Sequence, residues 1–329
     1  MADLVNTPGS VARSTVVVAG AGQLGSRHLQ GLATSDVPLR IHVHDPDAAS
    51  LERSKQRWQE AGGTSTQHEV SFSQSLSAVP KEIDLAIVAT TASVRPNVVA
   101  EIVRQASVRY WILEKVLAQS QGGLDALLGS VASGSSAWVN TARRTMPWHQ
   151  EIKSELGLQT PLTLTAPGGP WGLACNAIHF LDLVAWWTGE RLDRARTEGL
   201  ESAWHESKRP GNWEVMGTLD ATFSGGSRAV LTASPAVEDD ALLVTDGART
   251  WRIAESEGLA RRSDGRELPG RVHFQSEMTA RVAESILRTG TCALPSLAES
   301  ADMHRALIGS LLKHWRQAGH HDASHLPIT

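Results

Sequence analysis

Two side chains in the middle of the sequence are suited to proton transfer. Lys115 closely follows the apolar run 110–113, where a lysine partly withdrawn from water can polarise a substrate oxygen or share its proton. His179 lies in a stretch with helical periodicity, and imidazole exchanges protons near neutral pH. Asp182 would share a helix face with His179 and fix its tautomer. We therefore predict a catalytic set of Lys115, His179 and Asp182, although an ordinary core histidine also fits this pattern.

A glycine-rich motif precedes these residues in the chain. It follows the β-branched run 15–19 and opens a segment of helix-forming residues. In a turn of this kind the first glycine permits the tight bend, the second lets a diphosphate approach, and the third lets the helix pack on the strand. We therefore expect a nicotinamide dinucleotide here, and an ordinary strand–turn–helix unit is the alternative. The predicted cofactor-binding residues of the turn are Gly20, Gly22, Gln23, Leu24 and Gly25.

An acidic residue at the end of the second predicted strand bears on the choice of cofactor. Asp45 follows the run 39–44, where a carboxylate accepts hydrogen bonds from the hydroxyl groups of an adenosine ribose. The cofactor is therefore expected to be NAD. NADP remains possible, because Arg53 or Lys55 would suit a 2′-phosphate.

Polar residues also follow two later strands of the same predicted sheet. Thr90 and Thr91 follow the apolar run 83–89, and Glu114 and Lys115 end the next strand. Because ligands bind at the carboxyl ends of parallel strands, we expect these four residues near the nicotinamide half of the cofactor. The threonines also fit simple turn positions.

Composition limits the classes of function. The 329 residues are 41% hydrophobic and 20% charged, which suits two packed domains. A formal net charge of −4 argues against nucleic acid or an anionic membrane as a partner. The two cysteines and the scattered histidines predict neither a disulfide framework nor a metal site, and 319–321 is expected to be a mobile tail. With no signal peptide or membrane span apparent, a cytoplasmic location is expected.

The elements that must position these residues indicate an α/β fold. A flexible tail at 1–13 is expected to precede a Rossmann domain, 14–140, with a doubly wound parallel sheet. The remainder, 141–329, is predicted to be an α+β domain for substrate binding and oligomerisation. It would contain a mainly antiparallel open sheet, and its terminal helix would pack back on the Rossmann domain. The predicted elements of this second part are strands at 215–223, 227–234 and 241–246, and helices at 176–188, 275–287 and 298–315.

Three motifs in this order resemble the glucose–fructose oxidoreductase/inositol dehydrogenase/MocA family. They are Glu114-Lys115-Val116, the pair Gly168-Gly169, and Cys175-Asn176-Ala177-Ile178-His179-Phe180-Leu181-Asp182, followed by a late Leu-Pro-Ser-Leu segment. Family members typically carry Glu-Lys-Pro, then a glycine pair, then Asp-x-Gly-x-His-x-x-Asp. Here Val116 replaces the proline, and Cys175 replaces the aspartate that assists the histidine.

The resemblance implies hydride transfer between a nicotinamide and the secondary alcohol or ketone of a sugar, polyol or sugar derivative. The variant motifs resemble members associated with bacterial surface-sugar biosynthesis. Relatives commonly pair their sheets, so a homo-oligomer is expected. Two other functions stay open: a non-redox sugar enzyme that uses tightly held NAD transiently, and a cofactor-binding regulatory or structural protein.

A substrate site is expected around the catalytic residues. Besides Lys115 and His179, the resemblance places Arg144 or its neighbours at the cleft, where a guanidinium would bind a carboxylate or phosphate. Trp171 follows the glycine pair and would form a pocket wall, and Asn176 would hydrogen-bond substrate. Each has a simpler alternative: a surface ion pair for Arg144, a loop turn for Trp171 and a helix N-cap for Asn176.

Overall fold

The computed structural model describes residues 12–63, 67–131, 134–156 and 161–329. Most of the predicted flexible tail, residues 1–11, lies outside the described residues. Arg13, at its end, forms an ion pair with Glu69 at 3.0 Å. In the described residues, no helix combines the length and hydropathy needed to cross a bilayer.

A six-stranded parallel sheet forms the N-terminal half, in the strand order 3-2-1-4-5-6. This is the doubly wound Rossmann order. Its strands are β1 (Ser14–Ala19), β2 (Leu39–His44), β3 (Glu69–Ser73), β4 (Glu82–Val88), β5 (Ser107–Leu113) and β6 (Ser136–Val139). The helices that connect them are α1 (Gln23–Leu32), α2 (Ala48–Glu60), α3 (Arg95–Gln105) and α4 (Gln121–Ser130).

Helices cover both faces of this sheet, which explains why its central strands are apolar at successive positions. On one face, side chains of α1 and α2 pack in a core that includes Leu29, Leu51 and Trp58. On the other, α3 and α4 contribute residues such as Ile102 and Leu124. The carboxyl ends of β1, β4 and β5 are thereby left as the free edge at which a ligand can bind.

The second half contains an eight-stranded sheet whose one parallel pair is β7 with β10; its other pairs are antiparallel, as predicted. Its strands are β7 (Thr163–Gly168), β8 (Leu192–Glu206), β9 (Trp213–Phe223), β10 (Arg228–Ala233), β11 (Leu242–Thr245), β12 (Thr250–Ala254), β13 (Leu259–Arg262) and β14 (Glu267–Pro269). The helices of this half are α5 (Pro147–Glu155), α6 (Leu173–Thr188), α7 (Gln275–Thr289) and α8 (Leu297–Gln317).

Helix α6 carries the predicted catalytic histidine and packs on one face of the second sheet. Ile178 and Leu181 lie in a common core with Leu164, Leu219 and Leu231 from three strands. Because these apolar positions of α6 are fully buried, the helix is fixed in rotation, and its first turn is held at the cleft between the two halves.

Helix α8 joins the two cores. Leu297 and Ala301, near its start, belong to the core beneath α3 and α4. Met303, Leu307 and Leu311, further along, belong to the core beneath α6. The terminal helix therefore packs against both sheets, and the domain boundary at residue 140 remains a prediction.

The segment after α8 is anchored to the rest of the protein. The His320 ring stacks on Trp315 with a centroid distance of 3.4 Å. Leu326 is fully buried, and its amide donates to the Gln119 carbonyl at 2.7 Å. The prediction of a mobile tail at 319–321 is therefore wrong, because an aromatic contact and a buried leucine hold the chain on either side.

Candidate active site

The cleft between the two halves contains two cavities that share Leu24, Lys115, Trp171 and Asn176 in their walls. The inner cavity, of about 480 Å³, is further lined by His179 and Arg143 among others. The hairpin cavity, of about 570 Å³, reaches the connection between β8 and β9. Lys115 therefore lies where the two cavities meet.

The glycine turn has the geometry expected of a diphosphate cradle. Gly20 has a φ of +96°, and a Cβ on Gly25 would lie 1.7 Å from the Gly20 carbonyl oxygen, so neither position accepts a side chain. At Gly22, by contrast, no described atom lies within 4 Å of where a Cβ would be. Gly22 is also the N-cap of α1, and no side chain of the described chain caps it. The amides at this helix end are open to an anion.

The other residues of the turn divide between surface and cleft. Leu24 lies in the walls of both cavities. The Gln23 side chain is exposed and accepts a hydrogen bond from Arg57 at 2.8 Å.

Asp45 is fixed beside the glycine turn. Its Oδ2 accepts the Ala21 amide at 2.7 Å and its Oδ1 accepts the Asp47 amide at 2.9 Å. Arg53, the alternative contact for a 2′-phosphate, donates to Ser50 at 2.8 Å and lies 3.7 Å from the Asp47 carboxylate. Two carboxylates, Asp45 and Asp47, therefore lie just after β2, and Arg53 is directed to the second of them, which disfavours a phosphate on the ribose.

Thr90 and Thr91 follow β4, as the sequence predicts. The Thr90 hydroxyl is buried and has no hydrogen-bond partner among the described residues. The backbone carbonyl of Thr90 accepts a hydrogen bond from Arg95. Arg95 is buried and also donates to the carbonyls of Val116 and Leu117. Arg95, which the sequence analysis missed, thus joins the loop after β4 to the loop that carries Lys115.

Glu114 lies in a buried network behind Lys115. Its carboxylate accepts hydrogen bonds from His28 of α1 at 2.8 Å and from Asn140. Burial alone would raise the pKa of Glu114, but these partners and the charge of Arg95 lower it below its usual value. The carboxylate therefore joins α1 to the ends of β5 and β6; Glu114 also lines the inner cavity, and its contact with a cofactor stays a prediction. His28 and Asn140 were missed because isolated polar residues in apolar segments carry no spacing signal.

Lys115 is held from the first turn of α6. Its Nζ donates to the Asn176 Oδ1 at 2.8 Å and to the Cys175 carbonyl at 3.2 Å. A lysine ammonium has three N–H groups, so one remains for a further acceptor. The peptide bond between Lys115 and Val116 is cis.

His179 faces the inner cavity one turn further along α6. Its Nδ1 is buried and has no hydrogen-bond partner in the described part of the chain. Burial, followed by the nearby charges of Lys115, Arg143 and His304, lowers the pKa of His179 well below its usual value. The imidazole is therefore neutral at physiological pH and can accept a proton.

The predicted contact between Asp182 and His179 is wrong. Asp182 is fully buried and forms a two-pronged ion pair with Arg144, with both N–O distances at 2.6 Å. Residues three apart on a helix diverge by about 60° around its axis, which is enough to turn Asp182 away from the cavity that His179 faces. Asp182 therefore anchors α6 and makes no hydrogen bond to His179.

Arg144 consequently does not have the predicted position in the substrate site. It lies in the 3-10 turn Ala142–Thr145, in which neighbouring side chains point in different directions. Arg143 is the residue that lines the inner cavity; it pairs with Glu255 and stacks on Phe180 at 4.5 Å. The sequence segment was informative, but the spacing did not indicate which of the two arginines faces the cleft.

Trp171 and Asn176 line both cavities. The Trp171 indole donates to the Thr232 carbonyl at 2.9 Å, and the side-chain amide of Asn176 donates to the Trp171 carbonyl at 2.9 Å. Helix α6 begins at Leu173 with Gly172 as its N-cap, so the alternative of Asn176 as an N-cap is wrong.

Glu214 of β9 supplies a carboxylate to the start of α6, where Cys175 stands in place of the motif aspartate. It is buried, and its carboxylate accepts the Ala174 amide at 2.8 Å and the Cys175 amide at 3.3 Å. Burial raises the pKa of Cys175 to about 12, so its side chain remains a thiol. Sequence reasoning missed Glu214 because it lies on a different strand from the motif. Within the described ranges, no cluster of His, Cys, Asp or Glu can hold a metal ion.

The fold is shared with several solved structures. UDP-N-acetylglucosamine 3-dehydrogenase GnnA from Acidithiobacillus ferrooxidans matches with a TM-score of 0.67 at 20% identity, over 92% of this chain and 96% of that chain. Scyllo-inositol dehydrogenase from Lactobacillus casei, with bound NAD(H) and scyllo-inositol, matches with a TM-score of 0.64 at 15% identity, over 92% and 97%. This chain has the fold of these dehydrogenases. An oxidoreductase from Agrobacterium radiobacter, in complex with NAD+, L-tartaric acid and magnesium, gives 0.66 at 14% identity, over 92% and 97%. No protein-family model and no curated protein matches the chain.

The shared dehydrogenase fold agrees with the resemblance drawn from the motifs. Both halves of the molecule are covered in these superpositions, so the agreement extends beyond the Rossmann half, which many unrelated enzymes possess.

Proposed function

We propose that this chain is an NAD-dependent oxidoreductase that transfers hydride to or from a secondary alcohol or ketone of a sugar, polyol or sugar derivative. The observation that carries the proposal is the arrangement of Lys115 and His179. The ammonium with one free N–H and the neutral imidazole line the same cavity, at the edge of the sheet next to the glycine turn. When the carbon of a secondary alcohol loses a hydride, its hydroxyl oxygen must lose a proton, and this pair of groups can bind that oxygen and accept the proton.

The residues at the sheet edge fit a nicotinamide dinucleotide. The open backbone at Gly22 and the uncapped start of α1 would hold the diphosphate, and Asp45 would accept the ribose hydroxyl groups. The unpartnered Thr90 hydroxyl would donate to the nicotinamide half. When bound, the nicotinamide supplies the hydride acceptor or donor. NADP is the second choice, because the Asp45 carboxylate would face its 2′-phosphate.

Lys115 binds the reacting oxygen in this mechanism. Asn176 and the Cys175 carbonyl occupy two of its three donors, which orients the third. An ammonium group so placed polarises a ketone in the direction of reduction and stabilises the developing alkoxide in the direction of oxidation.

His179 exchanges the proton. In the oxidation direction its neutral ring accepts the proton of the substrate hydroxyl and becomes an imidazolium; in reduction the ring first takes a proton from solvent, and the imidazolium gives it to the same oxygen. Its partner is not Asp182, which is paired with Arg144. The lowered pKa of His179 keeps it in the basic form before the substrate arrives.

The inner cavity suits a polyhydroxylated substrate. It combines cationic and anionic groups, Arg143, Glu255 and Asp240, with the aromatic rings of Trp171 and Phe180. Hydroxyl groups satisfy both signs of charge, and the apolar face of a sugar ring packs against aromatic rings. The surface-sugar role is the narrower form of this proposal, and it rests on the variant motif Cys175-Asn176-Ala177-Ile178-His179.

We also propose that the protein is a homo-oligomer and that it is located in the cytoplasm. Size-exclusion chromatography with light scattering tests the oligomer, and a mass of a single 35.3 kDa chain would remove that part of the proposal.

Nucleotide binding tests the proposed function directly. The purified, untagged protein would be examined by ultraviolet spectroscopy for retained nucleotide and titrated with NADH and NADPH by tryptophan fluorescence. We expect exchangeable NADH binding that is tighter than NADPH binding. Retained NAD that does not exchange would favour the non-redox enzyme, and no binding of either nucleotide would disprove the proposal.

A further inference from the structure

The connection between β8 and β9, residues 207–212, is a built turn at the mouth of the hairpin cavity. The Ser207 amide donates to the Asn212 carbonyl at 2.7 Å, and the Arg209 amide donates to the Ser207 hydroxyl at 3.1 Å. The next residue, Trp213, donates its amide to the Pro327 carbonyl at 2.8 Å. These bonds fix the backbone at the tip of the hairpin.

Two cations on this turn lack anionic partners. Lys208 and Arg209 are exposed, and neither forms an ion pair with any residue that the structure describes. The same cavity wall contains two carboxylates: Glu206, which accepts the Gly211 amide at 3.0 Å, and Glu214, which accepts amides at the start of α6. The turn therefore presents to the cavity two cations that no direct ion pair in the described residues satisfies.

This charge faces the cofactor edge of the Rossmann sheet. Leu24, in the first turn of α1, and Lys115 line the same cavity as Lys208 and Arg209. Thr329 lines this cavity too, and its hydroxyl accepts the Ala92 amide at 2.9 Å, so the cavity reaches the loop after β4.

We propose that Lys208 and Arg209 form a second, cationic wall for the diphosphate of the bound dinucleotide, opposite the glycine turn. The inference rests on the proposed function. The glycine turn neutralises the diphosphate from one side with backbone amides only, and the hairpin would add side-chain cations from the other half of the molecule. Cofactor binding would thereby draw the two halves together over Lys115.

The diphosphate of a nucleotide-linked sugar substrate has the same chemistry. The dinucleotide is favoured because the hairpin cavity contains Leu24 of the glycine turn, whereas His179 lines only the inner cavity of the two. A substrate must contact His179, so its reacting end belongs in the inner cavity, which Lys208 does not line.

The test compares Lys208→Ala/Arg209→Ala with Arg194→Ala/Lys313→Ala in the full-length protein. The control removes the same two residue types from exposed positions that line neither cavity. We expect the hairpin variant to bind NADH about tenfold more weakly, and the control to stay within about twofold of wild type. The salt dependence of NADH binding should also be weaker in the hairpin variant. Reduced nicotinamide riboside, which lacks phosphate, should bind all three proteins equally.

Equal NADH affinity of the hairpin variant and wild type would overturn the inference while leaving the proposed function intact. Unchanged NADH binding together with weaker binding of uridine diphosphate would assign the wall to a substrate diphosphate and also overturn it. If wild type bound neither NADH nor NADPH, the proposed function itself would fail, so the two failures are distinguishable.

Discussion

At the scale of single residues, the site is built around the first two turns of α6. Cys175 and Asn176 hold the Lys115 ammonium, and His179 projects into the cavity beside it. The aspartate expected at position 175 is absent, and Glu214 supplies a carboxylate to the same helix end from a neighbouring strand. A carboxyl group is therefore present at the start of α6, although it comes from Glu214 and not from the motif position.

Substitution of His179 should affect catalysis and leave cofactor binding unchanged. We expect His179→Ala to lower kcat by a factor of about 10² to 10⁴. Because burial and neighbouring cations lower its pKa, the acidic limb of the kcat/KM profile should fall below about pH 6.5, the usual pKa of histidine. Steady-state kinetics across pH checks both points. A variant with wild-type kcat, or a limb above that pH, would remove His179 from its role.

Glu214 should act by positioning Lys115. Glu214→Ala removes the acceptor for two amides at the start of α6 and should lower kcat/KM about tenfold, with a loss of about 1 kcal/mol in stability. Glu214→Gln keeps an acceptor oxygen and should recover part of the activity. The measurements are kcat/KM and the free energy of unfolding. Equal kcat/KM for wild type and Glu214→Ala would contradict this role.

At the scale of helices and strands, sequence patterns confined to one short segment were the most informative about structure. The strand–glycine–helix unit was predictable because its chemistry lies within one short segment, and Gly20 and Gly25 have a steric reason to be glycine. Strand β8 was not predicted: its sequence, Leu192–Glu206, is rich in charged residues and mostly exposed at the sheet edge, so it lacks the alternation that marks a half-buried strand. The Arg144–Asp182 pair was equally inaccessible, because it joins residues 38 positions apart.

Gly22 and Gly25 of the turn should respond differently to substitution by alanine. At Gly22 an added methyl group meets no described atom, so Gly22→Ala should keep wild-type stability while NADH binding weakens about tenfold. Gly25→Ala would place a methyl group 1.7 Å from the Gly20 carbonyl oxygen and should cost more than about 3 kcal/mol. Denaturant unfolding and NADH titration separate the two effects. A destabilised Gly22→Ala protein with normal NADH affinity would contradict the cradle.

At the scale of the whole molecule, α8 ties the two cores together. Ala301 of this helix lies in the Rossmann core, and Leu307 lies in the core of the second sheet. His304 lies fully buried between them, with its Nδ1 at 2.8 Å from the Ser300 carbonyl. The sequence predicted that this helix packs back on the first domain, but one histidine on a long helix fits a buried or an exposed position equally well, so the burial of His304 could not be predicted.

His304 should make stability depend on pH. Burial lowers its pKa to about 4, so the unfolded chain, with a pKa near 6.5, takes up the proton first. The stability that comes from the neutral ring is fully present above pH 6.5 and is lost as the pH falls towards 4, in total about 3 kcal/mol. His304→Gln should flatten the stability profile in this range, and His321→Gln, at an exposed position, should not. Parallel profiles for His304→Gln and wild type would disprove this contribution.

The central claim is hydride transfer in the cleft, and the most direct measurement is formation of reduced nicotinamide. Wild type, Lys115→Met and His179→Ala would be incubated with NAD and a panel of cyclitols, sugars and nucleotide-linked sugars, with absorbance followed over time. We predict turnover by wild type on at least one polyhydroxylated substrate, and its loss in both variants although they still bind NADH. Undiminished turnover in both variants, or consumption of a sugar by wild type with no net change in nicotinamide, would contradict the account.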